Sequence, residues 1–230
     1  MRPPIASETL QLMAGTTWIG SSAKAEKELG FTTKAFLRAA NSGRFAAPPY
    51  LPEGTASLEG FLFPKVYEFF PDPTPQDVIE RMLEQFEAEV RDLPWANADT
   101  FGLTPYEVVT VASLVEAEAK VDDDRGKIAR VIYNRLRIGQ ALEIDATIQY
   151  ALRDNRPITN DDKAIESPYN TYQHTGLTPT PIAAPGIESI RAALEPTPGE
   201  WLYYLVVDES TGRHEFFETY EEFLAALNSR

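Results

Sequence analysis

The stretch LTPYEVVTVASLVEAEAK (103–120) decides the fold, because it predicts a long apolar helix with two glutamates near its end. Thr104 followed by Pro105 is typical of a helix start, since a threonine side chain caps the first turn and proline suits the first helical position. Glu116 and Glu118 are two residues apart, which turns their side chains about 200° apart around a helix. The two glutamates therefore cannot share one role.

Glu118 lies three residues after Val115 and four after Leu114, on the apolar stripe of the predicted helix. A carboxyl group there loses hydration, which favours its neutral form, and a general acid working near neutral pH needs such a raised pKa. A second interpretation stays open, in which the helix is rotated and Glu118 sits at its edge, paired with an arginine. Glu116, four residues before Lys120, is predicted to form a solvated ion pair.

Other polar residues stand out by their positions in apolar or proline-rich segments. Asp145 is interpreted either as the cap of a helix that begins near Thr147 or as the second carboxylate of a glycosidase pair. Asn134 and Arg135 lie within an apolar helix pattern and are predicted to tie loops to that helix, because buried polar groups need partners. The aromatic and amide groups of SPYNTYQ (167–173) suit either sugar recognition or the pinning of a loop.

The composition excludes several classes of protein. The 230 residues, 43% of them hydrophobic, fit one large domain or a domain with a small subdomain. A formal net charge of −14 argues against binding to nucleic acid or to anionic lipid. The absence of cysteine excludes disulfides and thiolate chemistry, and two histidines are too few for an all-histidine zinc site. No apolar stretch of about 20 residues is present to span a bilayer.

Periodicity and turn residues place further elements. Short helices are predicted at Ala23–Leu29 and Thr33–Ala40, and the proline-rich stretch 46–54 is predicted to be a loop. Pro64 makes Leu58–Phe70 an extended or edge-strand segment. Later helices are predicted from Pro75 to about Val90, at Lys127–Ile138, Thr147–Leu152, Ile187–Leu194 and Tyr220–Asn228, with a hairpin formed by Trp201–Val207 and His214–Phe217.

Five blocks together resemble the endolytic murein transglycosylase family, also called MltG or YceG-like. The blocks are LEGFLFPKVY (58–67), VASLVEAEAK (111–120), IARVIYNRLRIGQALEIDATIQYAL (128–152), SPYNTYQHTGLTPTPIAAPG (167–186) and YYLVV with HEFF (203–217). The resemblance implies internal cleavage of peptidoglycan strands between N-acetylmuramic acid and N-acetylglucosamine, which leaves 1,6-anhydro ends. It also implies that Glu118, the second glutamate of VEAE, is the catalytic residue and that Glu116 supports it. The chain departs from the family at Lys65 and Val66, where an acid and a threonine are usual.

The expected fold is α+β, with helices packed around a small antiparallel sheet and a substrate groove beside Glu118. Residues 1–57 are expected to form an N-terminal helical subdomain or the remnant of one, and residues 58–230 the catalytic domain. The substrate-binding residues predicted from the matching blocks are Glu59, Asn134, Arg135, Asp145, Thr147, Ser167, Tyr169, Asn170 and Thr171. No metal or other cofactor is expected.

The implied partners are peptidoglycan glycan strands and, beyond them, cell-wall synthases, at the extracytoplasmic face of the bacterial plasma membrane. The family's membrane anchor and its LysM-like N-terminal domain have no counterpart in these residues, so the chain is expected to be a fragment or an unusually short relative. Two alternatives stay open. One is a hydrolase that uses Glu118 and Asp145 as a pair. The other is a module that binds glycan or scaffolds the synthesis machinery without cutting.

Overall fold

Eight α-helices and four short strands form the regular structure of the residues that the computed structural model describes, which are 7–42, 45, 50–51, 55 and 57–229. The helices are α1 (Trp18–Leu29), α2 (Thr33–Ala40), α3 (Pro75–Val90), α4 (Pro105–Glu118), α5 (Asp122–Arg137), α6 (Asp145–Leu152), α7 (Ile187–Leu194) and α8 (Tyr220–Asn228). The strands are β1 (Glu8–Gln11), β2 (Val66–Phe69), β3 (Tyr203–Asp208) and β4 (Arg213–Phe217). Two 3-10 helices cover Trp95–Phe101 and Asp162–Ala164. None of the described helices is both long and apolar enough to cross a bilayer.

Helix α4 forms the centre of the hydrophobic core. Residues 108–115 are all buried, so the helix is enclosed around its whole circumference, by α5, α6 and α7 among others. The predicted apolar stripe is therefore wrong for this helix: a helix that is apolar on every side lies inside the core. Its start is as predicted, because Thr104 and Glu107 form a reciprocal capping box around Pro105. The chain leaves the helix after Glu118, where the core meets solvent.

The strands form two separate antiparallel pairs among the described residues, β1 with β2 and β3 with β4. The α+β class is confirmed, although helix α4 occupies the centre that was expected to hold a sheet. Strand β1 was missed, because a four-residue strand whose partner lies more than 50 residues away leaves little local signal. Since β1 pairs with β2, a sheet joins residues on both sides of the expected boundary at residue 57. That boundary stays a prediction.

Helix starts carry the clearest sequence signals. Thr74 caps α3 through a box with Asp77, and α2, α7 and α8 have the predicted bounds. Helix α5 begins at Asp122, five residues before the predicted start at Lys127, because acidic residues in its first turn favour a helix N-terminus. The predicted loop at 46–54 lies outside the described residues except at residues 50 and 51.

The loop before β2 presses directly against the central helix. Gly60 has a φ of 88°, and a Cβ atom there would lie 2.6 Å from Pro181 and 3.2 Å from Val109. Only glycine fits this contact without displacing a neighbour. The close approach fixes the adjacent Glu59 beneath the surface of the domain.

Candidate active site

A cavity of about 610 Å³ opens at the C-terminal end of α4, and we call it the Glu118 cleft. Glu118 is the last residue of the helix and is only partly exposed. Charged and aromatic side chains surround it. The principal ones are those of Lys120, Arg135, Asp145, Tyr172, Tyr204 and His214.

The pKa of Glu118 lies above its ordinary value, because burial penalises the charged form. Its neighbours act in opposite directions. The Tyr204 hydroxyl donates a 3.0 Å hydrogen bond to a carboxylate oxygen of Glu118 and lowers this pKa, whereas the negative charge of Asp145 raises it. Lys120 and Arg135 lower it further. Burial is the largest of these influences, so the protonated form of Glu118 is more favoured than in a hydrated glutamate.

Tyr204 is fixed by a buried hydrogen-bonded pair that docks the β3–β4 hairpin onto α5. A carboxylate oxygen of Asp124 accepts from the backbone N–H of His214 at 2.7 Å and lies 3.1 Å from Nδ1 of the same residue. The His214 ring then packs edge-on against Tyr204, with centroids 5.2 Å apart. Because Asp124 and His214 are both almost fully buried, this pair gives the Tyr204 hydroxyl a defined position beside Glu118.

Asp145 enters the cleft from the first turn of α6, where its carboxylate accepts a hydrogen bond from the Tyr172 hydroxyl. The prediction that Asp145 caps a helix starting near Thr147 is wrong, because α6 begins at Asp145 itself and Ile144 occupies the cap position. The side chain of Asp145 is thereby left free to turn toward Tyr172 and the cleft. Lys163 lies over the face of the Tyr172 ring, 4.5 Å from its centroid.

Asn134 and Arg135 tie loops to α5, as predicted. The Asn134 amide donates to the carbonyls of Gly199 and Trp201, and it does not line the Glu118 cleft. The Arg135 guanidinium donates at 2.7 Å to the carbonyls of Leu202 and Leu142. Arg135 also lines the cleft, so it supplies positive charge there while holding two segments in place.

Three of the predicted substrate-binding residues lie inside the wall of the cleft. Thr147 and Thr171 are buried, and their hydroxyls are 2.9 Å apart. Asn170 is also buried, and its amide donates to the carbonyls of Lys163 and Ile165. These side chains hold α6 against the 167–172 segment, and their predicted contact with substrate stays a prediction.

Glu116 points away from the cleft, into the junction of α4, α5 and α7. Its carboxylate is within 3.2 Å of Arg125 and accepts from the Ser189 hydroxyl at 2.7 Å and from the Gly186 backbone at 3.0 Å. The predicted solvated ion pair with Lys120 is wrong, because the enclosed helix presents this face to α5 and α7. Its observed contacts are those of a residue that joins three elements of the core.

The remaining predicted residues lie at the other end of α6. Glu59 is buried beneath the surface there, and Ser167 and Tyr169 line a second cavity. Burial raises the pKa of Glu59 to about 7. In the described ranges, no group of three or more histidine, aspartate or glutamate side chains is placed to hold a metal ion.

The model of the YceG-like family matches residues 4–229. The chain belongs to the YceG-like family. It is 40% identical over 167 residues to a Bacillus subtilis (strain 168) protein named endolytic murein transglycosylase, and 34% identical over 171 residues to a Streptococcus pneumoniae (strain ATCC BAA-255 / R6) protein of the same name. These alignments cover 72% of this chain but only 46% and 31% of the two relatives, so the chain spans less than half of their length.

A solved structure extends the likeness to the fold. The crystal structure of a yceG-like protein from Listeria monocytogenes superposes with a TM-score of 0.83 at 29% identity. The superposition covers 95% of this chain and 76% of that one. The YceG-like fold thus includes nearly all of the described elements.

Sequence reasoning missed part of the cleft of this YceG-like chain. Tyr204 and His214 were read only as hairpin residues, and Asp124 was placed ahead of the predicted start of α5. Strand alternation would have put Tyr204 and Val206 on one face. It could not show that this face meets Glu118, which is 86 residues earlier in the chain.

Proposed function

We propose that this domain is a lytic transglycosylase that cuts peptidoglycan glycan strands internally, with Glu118 as general acid and then general base. The observation that carries the proposal is a poorly hydrated carboxyl group beside an open cavity of about 610 Å³. A fully exposed glutamate would be ionised at neutral pH, and a sealed one could not reach a substrate. The names of the Bacillus and Streptococcus relatives support the same class of substrate.

The proposed reaction breaks the β-1,4 bond between N-acetylmuramic acid and N-acetylglucosamine. Glu118 donates its proton to the glycosidic oxygen while the bond from that oxygen to the muramyl anomeric carbon breaks. The resulting carboxylate accepts the proton of the muramyl 6-hydroxyl, whose oxygen forms the new bond to the anomeric carbon. The product is a 1,6-anhydro end, no water is consumed, and Glu118 regains its proton. One carboxylate suffices because the nucleophile belongs to the same sugar and is held close.

The surroundings of Glu118 suit a group that must give up a proton and then take one back. Burial and the charge of Asp145 favour the protonated acid before the bond breaks. The Tyr204 hydroxyl and the cations Lys120 and Arg135 favour the carboxylate that forms during the step. The same surroundings thus offer stabilising contacts to both forms, as a group that acts first as an acid and then as a base requires.

A second candidate is a hydrolase in which Asp145 activates a water molecule. It is favoured by one observation: Asp145 lines the same cleft as Glu118 and its charge raises the pKa of that residue. Two carboxyl groups that line one sugar-sized cavity are the arrangement of many glycosidases. The hydrogen bond from the Tyr172 hydroxyl would then orient the Asp145 side chain.

Mass analysis of the products distinguishes the candidates. Purified sacculi digested with the domain should release muropeptides with 1,6-anhydro ends, and the Asp145→Asn variant should give the same products. Reducing ends heavier by one water, lost in Asp145→Asn, would establish the hydrolase instead. Strands that bind but stay intact would mean a glycan-binding module. The proposed place of action is the extracytoplasmic face of the plasma membrane, and cell-wall synthases stay predicted partners.

A further inference from the structure

A second cavity, of about 900 Å³, lies between the start of α1 and the end of α6, and we call it the Trp18 cavity. Its lining combines aromatic rings, a side-chain amide, a hydroxyl and a guanidinium group. The residues that supply them are Thr16, Trp18, Gln149, Tyr150, Arg153 and Tyr169. The mechanism proposed above uses none of these groups.

A buried carboxyl group joins the two walls of the Trp18 cavity. One oxygen of Glu59 accepts from the backbone N–H of Trp18 at 2.9 Å, and the other accepts from the Tyr150 hydroxyl at 3.1 Å. Glu59 itself is almost completely buried. The Tyr150 and Tyr169 rings pack with their centroids 4.9 Å apart, and the Tyr169 hydroxyl lies 2.9 Å from that of Thr180. The aromatic walls are therefore fixed before any ligand arrives, which lowers the entropic cost of binding.

The Trp18 cavity and the Glu118 cleft lie at opposite ends of one wall. Helix α6 runs antiparallel to the 167–172 segment, and three pairs of residues join them. Asp145 with Tyr172 stands in the cleft, Thr147 with Thr171 is buried in the middle, and Tyr150 with Tyr169 stands in the cavity. From Asp145 to Tyr150 the helix rises only about 7.5 Å. A strand of a few sugars is longer than this rise along the helix axis.

We propose that the Trp18 cavity is a second binding site for the glycan strand, taking N-acetylated sugars away from the bond that is cut. The inference rests on the proposed function. Aromatic rings offer flat apolar faces for the underside of a sugar ring, while amide, hydroxyl and guanidinium groups bond to acetamido and hydroxyl substituents. The described lining comes from helices and loops, so it presents no strand edge of the kind that binds extended peptides. Occupation of both cavities selects long strands, which is what internal cleavage requires.

Calorimetric titration with two lengths of glycan tests the site. The probes are a tetrasaccharide and an octasaccharide of alternating N-acetylglucosamine and N-acetylmuramic acid, titrated into the Glu118→Gln domain so that no strand is cut. Adding Trp18→Leu should weaken octasaccharide binding about tenfold and tetrasaccharide binding by less than about twofold. Leucine keeps an apolar side chain at this position, and the backbone bond to Glu59 is unaffected.

A second variant and a control distinguish the loss of a binding contact from a general loss of structure. Arg153 has a φ of 56°, so Arg153→Gly fits the backbone, and it should weaken octasaccharide binding about threefold. Phe70→Leu removes an exposed ring that lines neither cavity and should change nothing. Equal octasaccharide affinity in Trp18→Leu, Arg153→Gly and their parent, or an equal loss for both probes, would overturn the second site. Full release of anhydro-muropeptides by Glu118→Gln would overturn the proposed mechanism, whereas equal octasaccharide affinities measured in a Glu118→Gln domain that cuts no strand would overturn only the second site.

Discussion

Glu118 and Glu59 are two glutamates whose pKa is raised by the same cause, burial, in very different surroundings. Glu59 is sealed under the Trp18 cavity and accepts hydrogen bonds from Trp18 and Tyr150. Glu118 borders the open cleft and accepts one from Tyr204. A raised pKa therefore marks both an anchor of the fold and a candidate acid, and access to substrate distinguishes them.

The two carboxyl groups also differ in what their partners do. The groups that bond to Glu59 belong to α1 and α6, so its carboxyl connects elements that would otherwise be apart. Tyr204, which is the partner of Glu118, packs against His214 of the Asp124–His214 pair. Its position therefore does not depend on Glu118. Removing Glu59 should then disturb structure, whereas removing Glu118 should disturb chemistry.

Glu118→Gln should lower the rate of anhydro-muropeptide release by about 10²- to 10⁴-fold, because the amide can neither donate nor reclaim the proton. The melting temperature should stay level or rise, since a neutral side chain replaces one whose charge is disfavoured by burial. Release rates from sacculi and thermal melting measure the two effects. Glu59→Gln is the matched control, and its activity per folded molecule should remain within about threefold of the wild type. Near wild-type release by Glu118→Gln would refute the assignment.

Glu59→Gln should change how stability depends on pH. The pKa of Glu59 is about 7 in the folded domain against an ordinary value of 4.5, so the folded state holds this proton more tightly than the unfolded state. Its contribution to stability is fully present below about pH 4.5 and is lost as pH rises through 7. As the pH rises from 4.5 to 7, the free energy of unfolding of the wild type should thus fall by on the order of 3 kcal/mol relative to that of Glu59→Gln.

Urea titrations of the wild type and of Glu59→Gln at pH 4.5 and pH 7.5 measure that difference. Parallel pH profiles for the wild type and Glu59→Gln would mean that this carboxyl is hydrated in solution and does not anchor the walls of the Trp18 cavity.

Tyr204→Phe should move one limb of the pH–rate profile, the limb governed by the titration of Glu118, to higher pH. The hydroxyl lowers the pKa of Glu118, so its loss raises that pKa and the carboxylate form then requires a higher pH. Activity at neutral pH should fall about tenfold, because a hydrogen bond to the ionised form is lost. Tyr203→Phe, on the neighbouring strand position, should leave the limb in place. A limb that moves equally in both variants would show that the hydroxyl of Tyr204 does not act on Glu118.

Much of the fold could be predicted because its signals are local. Thr74 with Pro75 and Thr104 with Pro105 specify helix starts within one turn, and the structure has both capping boxes. Strand β1 and the start of α5 could not be placed, since a short strand depends on a distant partner and three successive aspartates resemble a loop as much as a first turn.

The part of the candidate site that the sequence singled out lies on α4 to α6 and in the SPYNTYQ segment (167–173). Glu118 was singled out by a stripe that does not exist on an enclosed helix, and its exposure comes instead from its place at the helix end. The five-block resemblance supplied the same residue independently. Tyr204 is brought to Glu118 by the docking of a hairpin 86 residues later, and no periodicity within α4 contains that information. Long-range packing, not local propensity, assembles the cleft.

Glu116→Gln should have the smallest effect, and it separates the two glutamates of α4. The substitution keeps an oxygen that can accept from Ser189 and the Gly186 backbone but removes the charge beside Arg125. Because Arg125 also pairs with Asp122, its guanidinium keeps a partner, and the loss of unfolding free energy should be only about 1–2 kcal/mol. Product release per folded molecule should stay within about twofold of the wild type. A fall in rate as large as that of Glu118→Gln, in protein that melts normally, would mean that Glu116 acts in the chemistry across the helix, which its contacts with α5 and α7 do not provide for.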